Sequence, residues 1–496
     1  MNFPLSSAQE AARLIKDKEV LGIGGFSSVG TPKLVPMALA EYARELHSEG
    51  KEFKVGLITG GAAGSLIDGA LAQADAVFMR TPFQSDKDMR NSINSGKVAY
   101  FDLHLSHIGQ DVRYGFLPKI DVAIIEASDI TAEGEITLST SVGISPTLVQ
   151  QADRVIVELN RVHKGKLKGM HDIFLLDNPP YRKEIPIYRV NDRVGSCTLK
   201  VDPKKIVAVV ESEVKDRIAP FTPLNETTQR IGNNVAAFLL NEWRKGGIPK
   251  EFLPLQSGVG NVANAVLGAL GEDTHLPAFS MFTEVIQNSV IDLMMKGRIS
   301  FATGSSLTLS EDKLDMMYEN LDFFKERVLL RPQEITNHPE MVRRLGIIAV
   351  NTALEADIFG NVNSTHVMGS KMMNGIGGSA DFSRNAFLSI FTTPSTAKDG
   401  LISSIVPQVS HVDSTEHDVR VLVTEQGVAD LRGKSPKERA ACIIENCAHP
   451  DYKELLWDYV KLSEGKGYHT PFSLKNALKM HLAFAETGDM RNTKYE

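Results

Sequence analysis

The chain has 496 residues and a mass of 54.4 kDa, a length typical of about two to three domains. Lys and Arg number 54 and Asp and Glu 61, so the formal net charge is −7, which argues against general binding to nucleic acid or to an anionic membrane. The mean hydropathy is −0.12, the first residues do not resemble a secretory signal, and the chain has three cysteines. These features predict a soluble, cytoplasmic enzyme with reduced thiols.

The first half of the chain alternates between two kinds of pattern. Short apolar runs rich in β-branched residues predict buried strands at Lys54–Thr59, Asp121–Ile125, Arg154–Glu158 and Ile206–Val210. Between such runs, stretches such as Pro32–Leu46 are apolar at helical spacing. This alternation predicts a mostly parallel sheet with helices on both faces.

A polar stretch with two prolines, Lys215–Gln229, predicts the boundary between two domains, 1–220 and 221–496. An amphipathic helix is predicted next, at Arg230–Lys245. Further strand-like runs follow at Ala278–Val285, Ile347–Val350, Ala386–Phe391, Ser403–Val406 and Val419–Val423. The predicted fold class is therefore α/β, with two open α/β domains and mostly parallel sheets.

Four glycine-rich segments interrupt these patterns, at 22–25, 60–64, 258–260 and 374–378. A glycine turn between a strand and a helix leaves backbone N–H groups free to hold a phosphate or to stabilise an oxyanion. A tight turn without a ligand is the plain alternative for any one of them. Four such segments in one chain favour a binding role for some.

One of these segments, GVGNVA from Gly258, also matches the dinucleotide fingerprint, with Glu284 loosely placed as its acidic residue. This match supports an alternative hypothesis, an oxidoreductase that binds a nicotinamide or flavin cofactor. The preceding residues, FLPLQS, contain a proline and predict a poor strand, which argues against that hypothesis.

Glu284 follows the apolar run that starts at Ala278 and precedes a helix predicted at Ile286–Met295. In open α/β sheets, ligands bind beyond the carboxyl ends of the strands, so Glu284 is a candidate for chemistry. The plain alternative is an acid that stabilises the dipole of the following helix.

Four motifs together resemble the acetyl-CoA hydrolase/transferase family of class I CoA-transferases, which includes succinyl-CoA:acetate CoA-transferases: QSGVGNVANAV, FTEVIQNSVIDLM, NGIGGSADFSRNA and VTEQGVADLRGKS. The resemblance runs through nearly the whole chain and is strongest from Gly258 to Lys434. It implies domains of the CoA-transferase type, a homodimer, and acyl-CoA and short-chain carboxylates such as acetate and succinate as substrates. It implies no permanently bound cofactor, with coenzyme A entering only as substrate.

The resemblance also implies roles for particular residues. Glu284 would be the nucleophile, with the backbone amides of Val259 and Gly378 as oxyanion donors. Asn337 would hydrogen-bond a tetrahedral intermediate, and Glu425 would be a second active-site carboxylate, in a hydrogen-bonded supporting role. A glutamate with a reference pKa of about 4.3 is expected to be ionised at neutral pH without a partner base. These five residues are predicted to converge on one pocket between the domains.

Further candidates lie outside this set. Arg217 would face the substrate carboxylate or form an interdomain salt bridge. The candidates for binding CoA are Gly258, Gly260, Asn261, Gly377 and Lys398. Lys398 could equally be a solvated loop lysine. His104 and His107 are spaced like metal ligands, but no companion motif accompanies them, so we expect no metal. The leading prediction is a CoA-transferase. The alternative is an acetyl-CoA hydrolase on the same scaffold, with water in place of the second carboxylate.

Overall fold

A computed structural model describes residues 3–218, 224–273, 275–464 and 469–496 of the chain. The chain forms two compact units that are interleaved in sequence. The first unit comprises Met1–Pro220, Ser280–Leu345 and Asn374–Asp381; the second comprises Phe221–Phe279, Gly346–Met373 and Phe382–Glu496. The predicted domains, 1–220 and 221–496, are contiguous divisions of the sequence and stay a prediction. Residues 219–223 of the predicted boundary lie outside the described residues.

The first unit contains a mixed sheet of nine strands: Val20–Ile23, Val55–Thr59, Val77–Thr81, Ala99–Tyr100, Val122–Ile130, Glu135–Leu138, Arg154–Asn160, Leu199–Lys200 and Ile206–Ser212. Most neighbours in this sheet are parallel; Glu135–Leu138 pairs antiparallel with strands on both of its sides. The four strands predicted in this part of the chain are therefore confirmed. Several extend beyond their predicted ends, because the burial continues: only Asp129 is exposed in Val122–Ile130.

The helices of this part of the first unit are Ala8–Ala12, Leu34–Ser48, Ala70–Gln73, Lys87–Asn94, Leu105–Tyr114 and Ser145–Gln151. The helix predicted from Pro32 begins at Leu34. The first N–H groups of an α-helix have no partner within the helix. Here the Glu158 carboxylate, on a neighbouring strand, accepts hydrogen bonds from the backbone N–H groups of Lys33, Leu34 and Val35.

Residues 280–345 add a second group of strands to the first unit. Ile299–Gly304 pairs in parallel with Val328–Leu330. The run predicted as one strand over Ala278–Val285 is interrupted: Phe279–Phe282 ends before Thr283, and Val285–Gln287 pairs in parallel with Ser306–Thr308 in a separate small sheet. The helices here are Asn288–Met295, Glu311–Glu319, Leu321–Lys325, Gln333–Thr336 and Pro339–Leu345.

The second unit has its own parallel strands, Leu255–Ser257, Ile348–Thr352, Leu388–Thr392 and Val421–Thr424, with Gly427–Asp430 antiparallel at one edge. Its shorter strands are Glu355–Asp357, Val362–Asn363, His366–Val367, Lys371–Met372, Thr396–Ala397, Ile402–Ser403 and Ile405–Val406. Its longer helices are Glu226–Arg244, Asn261–Glu272, Pro436–Cys447, Pro450–Glu464 and Lys479–Thr487, and Ser379–Asn385 lies at the junction of two segments.

Two predictions for the second unit need correction. The residues before Gly258 do form a strand, Leu255–Ser257, because Pro254 precedes this strand and leaves its ladder intact. The run predicted as one strand at Ser403–Val406 forms two short strands with different partners. The helix predicted at Arg230–Lys245 is confirmed as Glu226–Arg244 and begins with a capping box between Asn225 and Thr228.

A buried ion cluster, formed by Lys33, Glu126 and Asp216, lies inside the first unit. Lys33 Nζ is 2.5 Å from Glu126 Oε2 and 2.8 Å from Asp216 Oδ1, and all three side chains are almost fully buried. Burial alone would lower the pKa of Lys33, but the charges of the two carboxylates outweigh it and raise that pKa. Glu126, Asp216 and His163 also lie close enough together to hold a metal ion. The Lys33 ammonium already supplies one positive charge to these two carboxylates.

No helix in the described ranges combines the length and the apolar character needed to cross a lipid bilayer.

Candidate active site

Glu284 lies at the interruption between the strands Phe279–Phe282 and Val285–Gln287. Its backbone carbonyl accepts hydrogen bonds from Ser305 N at 2.7 Å and Ser306 N at 3.1 Å. These two residues belong to the turn that leads into the partner strand of the small sheet, Ser306–Thr308. These two hydrogen bonds fix the backbone of Glu284 at the break between the two strands.

The side chain of Glu284 meets the amide of Asn337. Asn337 Nδ2 donates to Glu284 Oε1 in a short hydrogen bond and to Asp381 Oδ2 at 3.3 Å. The other end of the amide is also fixed, because Asn337 Oδ1 accepts a hydrogen bond from Thr336 Oγ1 at 2.9 Å. One amide thus joins a half-buried carboxylate, Glu284, to a buried one, Asp381, with its NH₂ group toward both.

Gly378 approaches the same carboxylate with its backbone. A Cβ atom built on Gly378 would lie 1.6 Å from Glu284 Oε1 and 2.4 Å from Asn337 Nδ2. No larger residue fits without displacing one of these groups. The structure therefore brings three predicted site residues together in the first unit, namely Glu284, Asn337 and Gly378.

The protonation of Glu284 differs from the expectation. Burial and, to a lesser extent, the nearby charge of Asp381 raise its pKa to about 7, against the lowering effect of the hydrogen bond from Asn337. Burial likewise raises the pKa of Asp381 to about 6, although its hydrogen bonds oppose the change. The pKa of Glu284 therefore lies above the reference value on which the expectation of an ionised carboxylate rested, because a reference pKa takes no account of desolvation or of a neighbouring anion.

The turn that carries Gly378 is held by polar contacts to other parts of the first unit. The Asn374 carbonyl accepts a hydrogen bond from the Tyr100 hydroxyl at 2.5 Å, and Ile376 N donates to Asp102 Oδ2 at 2.7 Å. Gly375 and Gly377 have φ values of +153° and +61°, which non-glycine residues rarely adopt. Gly377, a predicted candidate for binding CoA, thus supplies the bend that brings Gly378 to Glu284.

Gln333 fixes the short helix that precedes Asn337. Its Nε2 donates to the carbonyls of Gly60 at 2.8 Å and Leu105 at 3.0 Å. The glycine turn after the strand Val55–Thr59 is in turn held by the buried Arg80, which donates to the Gly61 carbonyl and pairs with Asp68. Gln333 therefore ties the short helix before Asn337 to two distant segments of the first unit, around Gly60 and Leu105.

An apolar cluster adjoins Glu284 on its C-terminal side. It contains the buried side chains of Phe26, Leu105 and Val285, with Phe83 packed against them. Phe26 belongs to the first glycine-rich segment, and Ser27 and Ser28 after it have φ values of +56° and +66°. This segment thus contributes Phe26 to the cluster that buries Val285, the residue after Glu284.

The remaining predicted site residues lie in the second unit. Val259 is 52% exposed. Gly258 N donates to the Val350 carbonyl at 3.0 Å, and Gly260, with φ of +113°, precedes the helix that begins at Asn261. The glycine segment is therefore a strand-to-helix turn, as expected. The convergence of Val259 with Glu284 stays a prediction.

Glu425 in the second unit is hydrogen-bonded. Its carboxylate accepts bonds from Ser395 N at 2.9 Å, from Ser395 Oγ and from Gln426 Nε2 at 3.0 Å. Burial alone would raise the pKa of Glu425, but these hydrogen bonds outweigh it and lower that pKa. Lys398 is exposed, and its Nζ lies 4.9 Å from the centre of the Phe484 ring. Their roles in catalysis and in CoA binding stay predictions.

Arg217 in the first unit is exposed, and its role toward a substrate carboxylate stays a prediction. His104 and His107 have rings 5.4 Å apart, and His104 Nδ1 lies 3.7 Å from Asp381 Oδ1. This histidine pair therefore lies beside Asp381.

Asp381 is the group that the sequence analysis missed. It follows the predicted turn NGIGG by three residues, and Ser106 binds it through both its hydroxyl and its backbone N–H. The signal was present in SADF after the glycine turn. An aspartate in the first turn of a helix is, however, common without any role in chemistry.

Comparison with known proteins identifies the family of this chain. Residues 3–211 match the acetyl-CoA hydrolase/transferase N-terminal domain and residues 314–460 match the C-terminal domain of the same family. A succinyl-CoA:acetate CoA-transferase of Clostridium kluyveri is 50% identical over 98% of this chain and 90% of its own length. The protein belongs to the acetyl-CoA hydrolase/transferase family, and it is an enzyme of that family.

Other relatives carry two kinds of name. A propanoyl-CoA:succinate CoA transferase of Escherichia coli is 48% identical over 98% of both chains, and an acetyl-CoA hydrolase of Schizosaccharomyces pombe is 45% identical over 99% of this chain and 97% of its own. Among solved structures, RipA from Yersinia pestis superposes with a TM-score of 0.71 at 22% identity, covering 92% of this chain and 97% of its own. That likeness shows a shared fold.

Proposed function

We propose that this enzyme is an acyl-CoA:carboxylate CoA-transferase that moves CoA between short-chain carboxylates through a covalent thioester on Glu284. The observation that carries the proposal is the half-buried Glu284 carboxylate, which meets the Asn337 amide and the close backbone of Gly378. The similarity to transferases that are named for acetate, propanoate and succinate supports this substrate class.

In the proposed reaction, a carboxylate oxygen of Glu284 attacks the carbonyl carbon of acyl-CoA. The C–S bond breaks, which gives a mixed acyl-glutamyl anhydride and CoA thiolate. The thiolate then attacks the glutamyl carbonyl, the anhydride C–O bond breaks, and the first acid leaves as its carboxylate. A second carboxylate reverses these steps on the glutamyl-CoA thioester. The energy of the thioester is retained throughout, so the proposal needs neither ATP nor a resident cofactor.

Each attack creates negative charge on a carbonyl oxygen. Preorganised donors stabilise such a charge more than water does, because they need no reorganisation during the reaction. The Asn337 Nδ2 group and the backbone N–H of Gly378 are the proposed donors in the first unit, and Val259 is the proposed donor from the second. A carboxylate is a weak nucleophile, so positioning must supply much of the rate, up to about 7–11 kcal/mol of the barrier.

Hydrolysis of acetyl-CoA is the second candidate, and the acetyl-CoA hydrolases among the yeast relatives favour it. Water would then attack the same glutamyl thioester in place of a second acid. We expect transfer to exceed hydrolysis, because the intermediate survives only if the site excludes water until an acid enters. The test is loss of acyl-CoA with and without added acetate, propionate, butyrate or succinate. Equal loss in all cases would favour the hydrolase.

The covalent step is tested with two substitutions of the nucleophile. Glu284→Ala removes the attacking oxygen, so CoA exchange should fall to background. Glu284→Asp withdraws the carboxylate by one methylene, and a misplacement of about 1 Å costs about 10²-fold in a positioned reaction. CoA exchange between acyl-CoA and labelled carboxylate measures both effects.

Borohydride reduces a thioester and spares a free carboxylate, so it provides a second measurement. Acyl-CoA should make the wild-type enzyme sensitive to borohydride, and Glu284→Ala should stay insensitive. Glu126→Gln, which changes another buried glutamate of the first unit, is the matched control and should keep the sensitivity. Wild-type exchange in Glu284→Ala would rule out the proposal.

A further inference from the structure

We propose that Asp381 is a positioning residue of this site. It orients the Asn337 amide, and its negative charge favours the glutamyl-CoA thioester, the state in which Glu284 no longer carries a charge. The inference rests on the proposed function of Glu284. It assigns a role to a residue that the expected mechanism does not use.

The contacts of Asp381 hold it in one place. Its Oδ1 accepts a hydrogen bond from Ser106 Oγ at 2.6 Å, and its Oδ2 accepts bonds from Ser106 N at 3.0 Å and Asn337 Nδ2 at 3.3 Å. The residue is 5% exposed. A carboxylate so buried and so bonded can neither turn away from Asn337 nor be screened by bulk water.

Asp381 also fixes the orientation of the Asn337 amide. An amide NH₂ group has two hydrogens, and both carboxylates accept from this one nitrogen. With Oδ1 engaged by Thr336, the flipped amide would place an oxygen against two carboxylates. Asp381 therefore favours the orientation in which the Asn337 NH₂ group donates to both carboxylates and Asn337 Oδ1 accepts from Thr336.

The charge of Asp381 bears on the reaction because acylation moves a charge out of the site. The enzyme carboxylate and acyl-CoA become the enzyme thioester and a free carboxylate, so the negative charge of Glu284 leaves with the acid. Two anions in a buried site repel each other, and the thioester relieves this repulsion. The raised pKa of Glu284, to which Asp381 contributes, reports the same repulsion.

Two histidines lie near Asp381. His104 Nδ1 lies 3.7 Å from Asp381 Oδ1, and the effect of His107 lowers the pKa of Asp381, against the larger effect of burial. Both belong to the start of the helix Leu105–Tyr114, since His104 is its N-cap residue and His107 lies in its first turn.

The test measures an equilibrium rather than a rate. Full-length enzyme is mixed with acetyl-CoA and acetate at several ratios, and intact-mass spectrometry gives the fraction that carries the CoA adduct. Asp381→Asn removes the charge and keeps an oxygen that can accept from Asn337. We expect its equilibrium constant for adduct formation to fall about tenfold, the change equivalent to one pKa unit.

Two controls separate charge from structure. Ser106→Ala removes a hydrogen bond to Asp381 but keeps the charge, and Asp381→Glu keeps the charge on a longer side chain. Both should retain an equilibrium constant closer to wild type than that of Asp381→Asn, even where their melting temperatures fall. Equilibrium constants that follow the stability of the variants instead of their charge would overturn the inference.

The outcomes also separate this inference from the proposed function. If the wild-type enzyme forms no adduct with acetyl-CoA, the proposed function fails and the inference fails with it. If wild type and Asp381→Asn form the adduct with the same equilibrium constant, only the inference fails.

Discussion

The first unit contains two buried clusters of carboxylates that differ in what lies between them. In the ion cluster, the Lys33 ammonium stands between Glu126 and Asp216. In the site, a neutral amide, Asn337, joins Glu284 to Asp381. The consequences for the acids differ in part. In the ion cluster, Lys33 lowers the pKa of Asp216 although burial would raise it, while burial raises the pKa of Glu126 although Lys33 opposes the change. At the site, burial and the charge of Asp381 together raise the pKa of Glu284, against the hydrogen bond from Asn337.

This difference separates a structural cluster from a chemical one. A carboxylate compensated by a cation is stabilised in its charged form and has little tendency to share its electrons with a carbon or a proton. A carboxylate beside another anion keeps its basicity, and forming a bond relieves its repulsion. Perturbed groups of the second kind concentrate at functional sites. Substitutions that change the central group or one acid of each cluster test this comparison.

The largest effect on stability is expected from Lys33→Met. The substitution leaves two carboxylates buried without their cation, and breaking a buried pair typically costs about 3–5 kcal/mol of the free energy of unfolding. Chemical denaturation at pH 8 measures the loss. Lys51→Met, at a solvent-exposed ion pair with Glu49, is the control and should leave the denaturation midpoint unchanged. A midpoint for Lys33→Met equal to that of the wild type would show that the cluster needs no cation.

Gly378→Ala should reduce CoA transfer by about 10²-fold or more, because the added methyl group must displace the Glu284 carboxylate or the Asn337 amide. The steady-state rate of exchange measures this loss. Gly268→Ala is the matched control, since a Cβ at Gly268 meets nothing within 4 Å and lies in the helix Asn261–Glu272. This control should keep the wild-type rate. A normal rate in Gly378→Ala would mean that Glu284 is not held as described.

Glu284→Gln should stabilise the fold while abolishing transfer. Because the folded-state pKa of Glu284 lies above its ordinary value, the folded chain holds an extra proton between about pH 4.5 and 7. The free energy of unfolding therefore falls as the pH rises through this window, by up to about 3 kcal/mol. Glu284→Gln removes this contribution and should be more stable than wild type at pH 8.

The same pKa predicts the pH dependence of the reaction. Only ionised Glu284 can attack, so the rate of thioester formation should rise with pH through about 7.

Thermal unfolding of wild type and Glu284→Gln at pH 5 and pH 8 gives the stability comparison. A difference between the two that is the same at both pH values would contradict the assigned pKa.

The smallest effect is expected from Glu126→Gln. The ion cluster contains two carboxylates and one ammonium. A glutamine whose oxygen takes the place of Glu126 Oε2 can still accept from Lys33, and its NH₂ group can donate to the Ser139 hydroxyl. Loss of the surplus anion should therefore change the free energy of unfolding by no more than about 1 kcal/mol. A loss as large as that of Lys33→Met would mean that the cluster depends on both charges.

Sequence patterns predicted much of the first sheet, because strands buried on both faces leave continuous apolar runs such as Arg154–Glu158. They did not predict the interruption at Glu284. Thr283 and Glu284 continue an apolar run, and the break depends on hydrogen bonds from Ser305 and Ser306, which lie about 20 residues further along the chain.

The site was predicted in part. The family resemblance indicated Glu284, Asn337 and Gly378, and the structure brings these three together. It gave no indication of Asp381 or of the raised pKa of Glu284. Both depend on burial and on the meeting of a helix start with Ser106, and neither burial nor long-range contact is visible in a local motif.

The interleaving of the two units has a consequence for dividing the gene. A cut between residues 218 and 224 would leave Ser106 and the Gly60 turn on one polypeptide and Glu284, Asn337 and Gly378 on the other. The second product would carry both carboxylates, Glu284 and Asp381, but would lack the contacts of Ser106 and of the Gly60 carbonyl that hold them in place. Activity would then depend on the concentration of the two fragments, as in a complementation assay, although the nucleophile itself remained covalently intact.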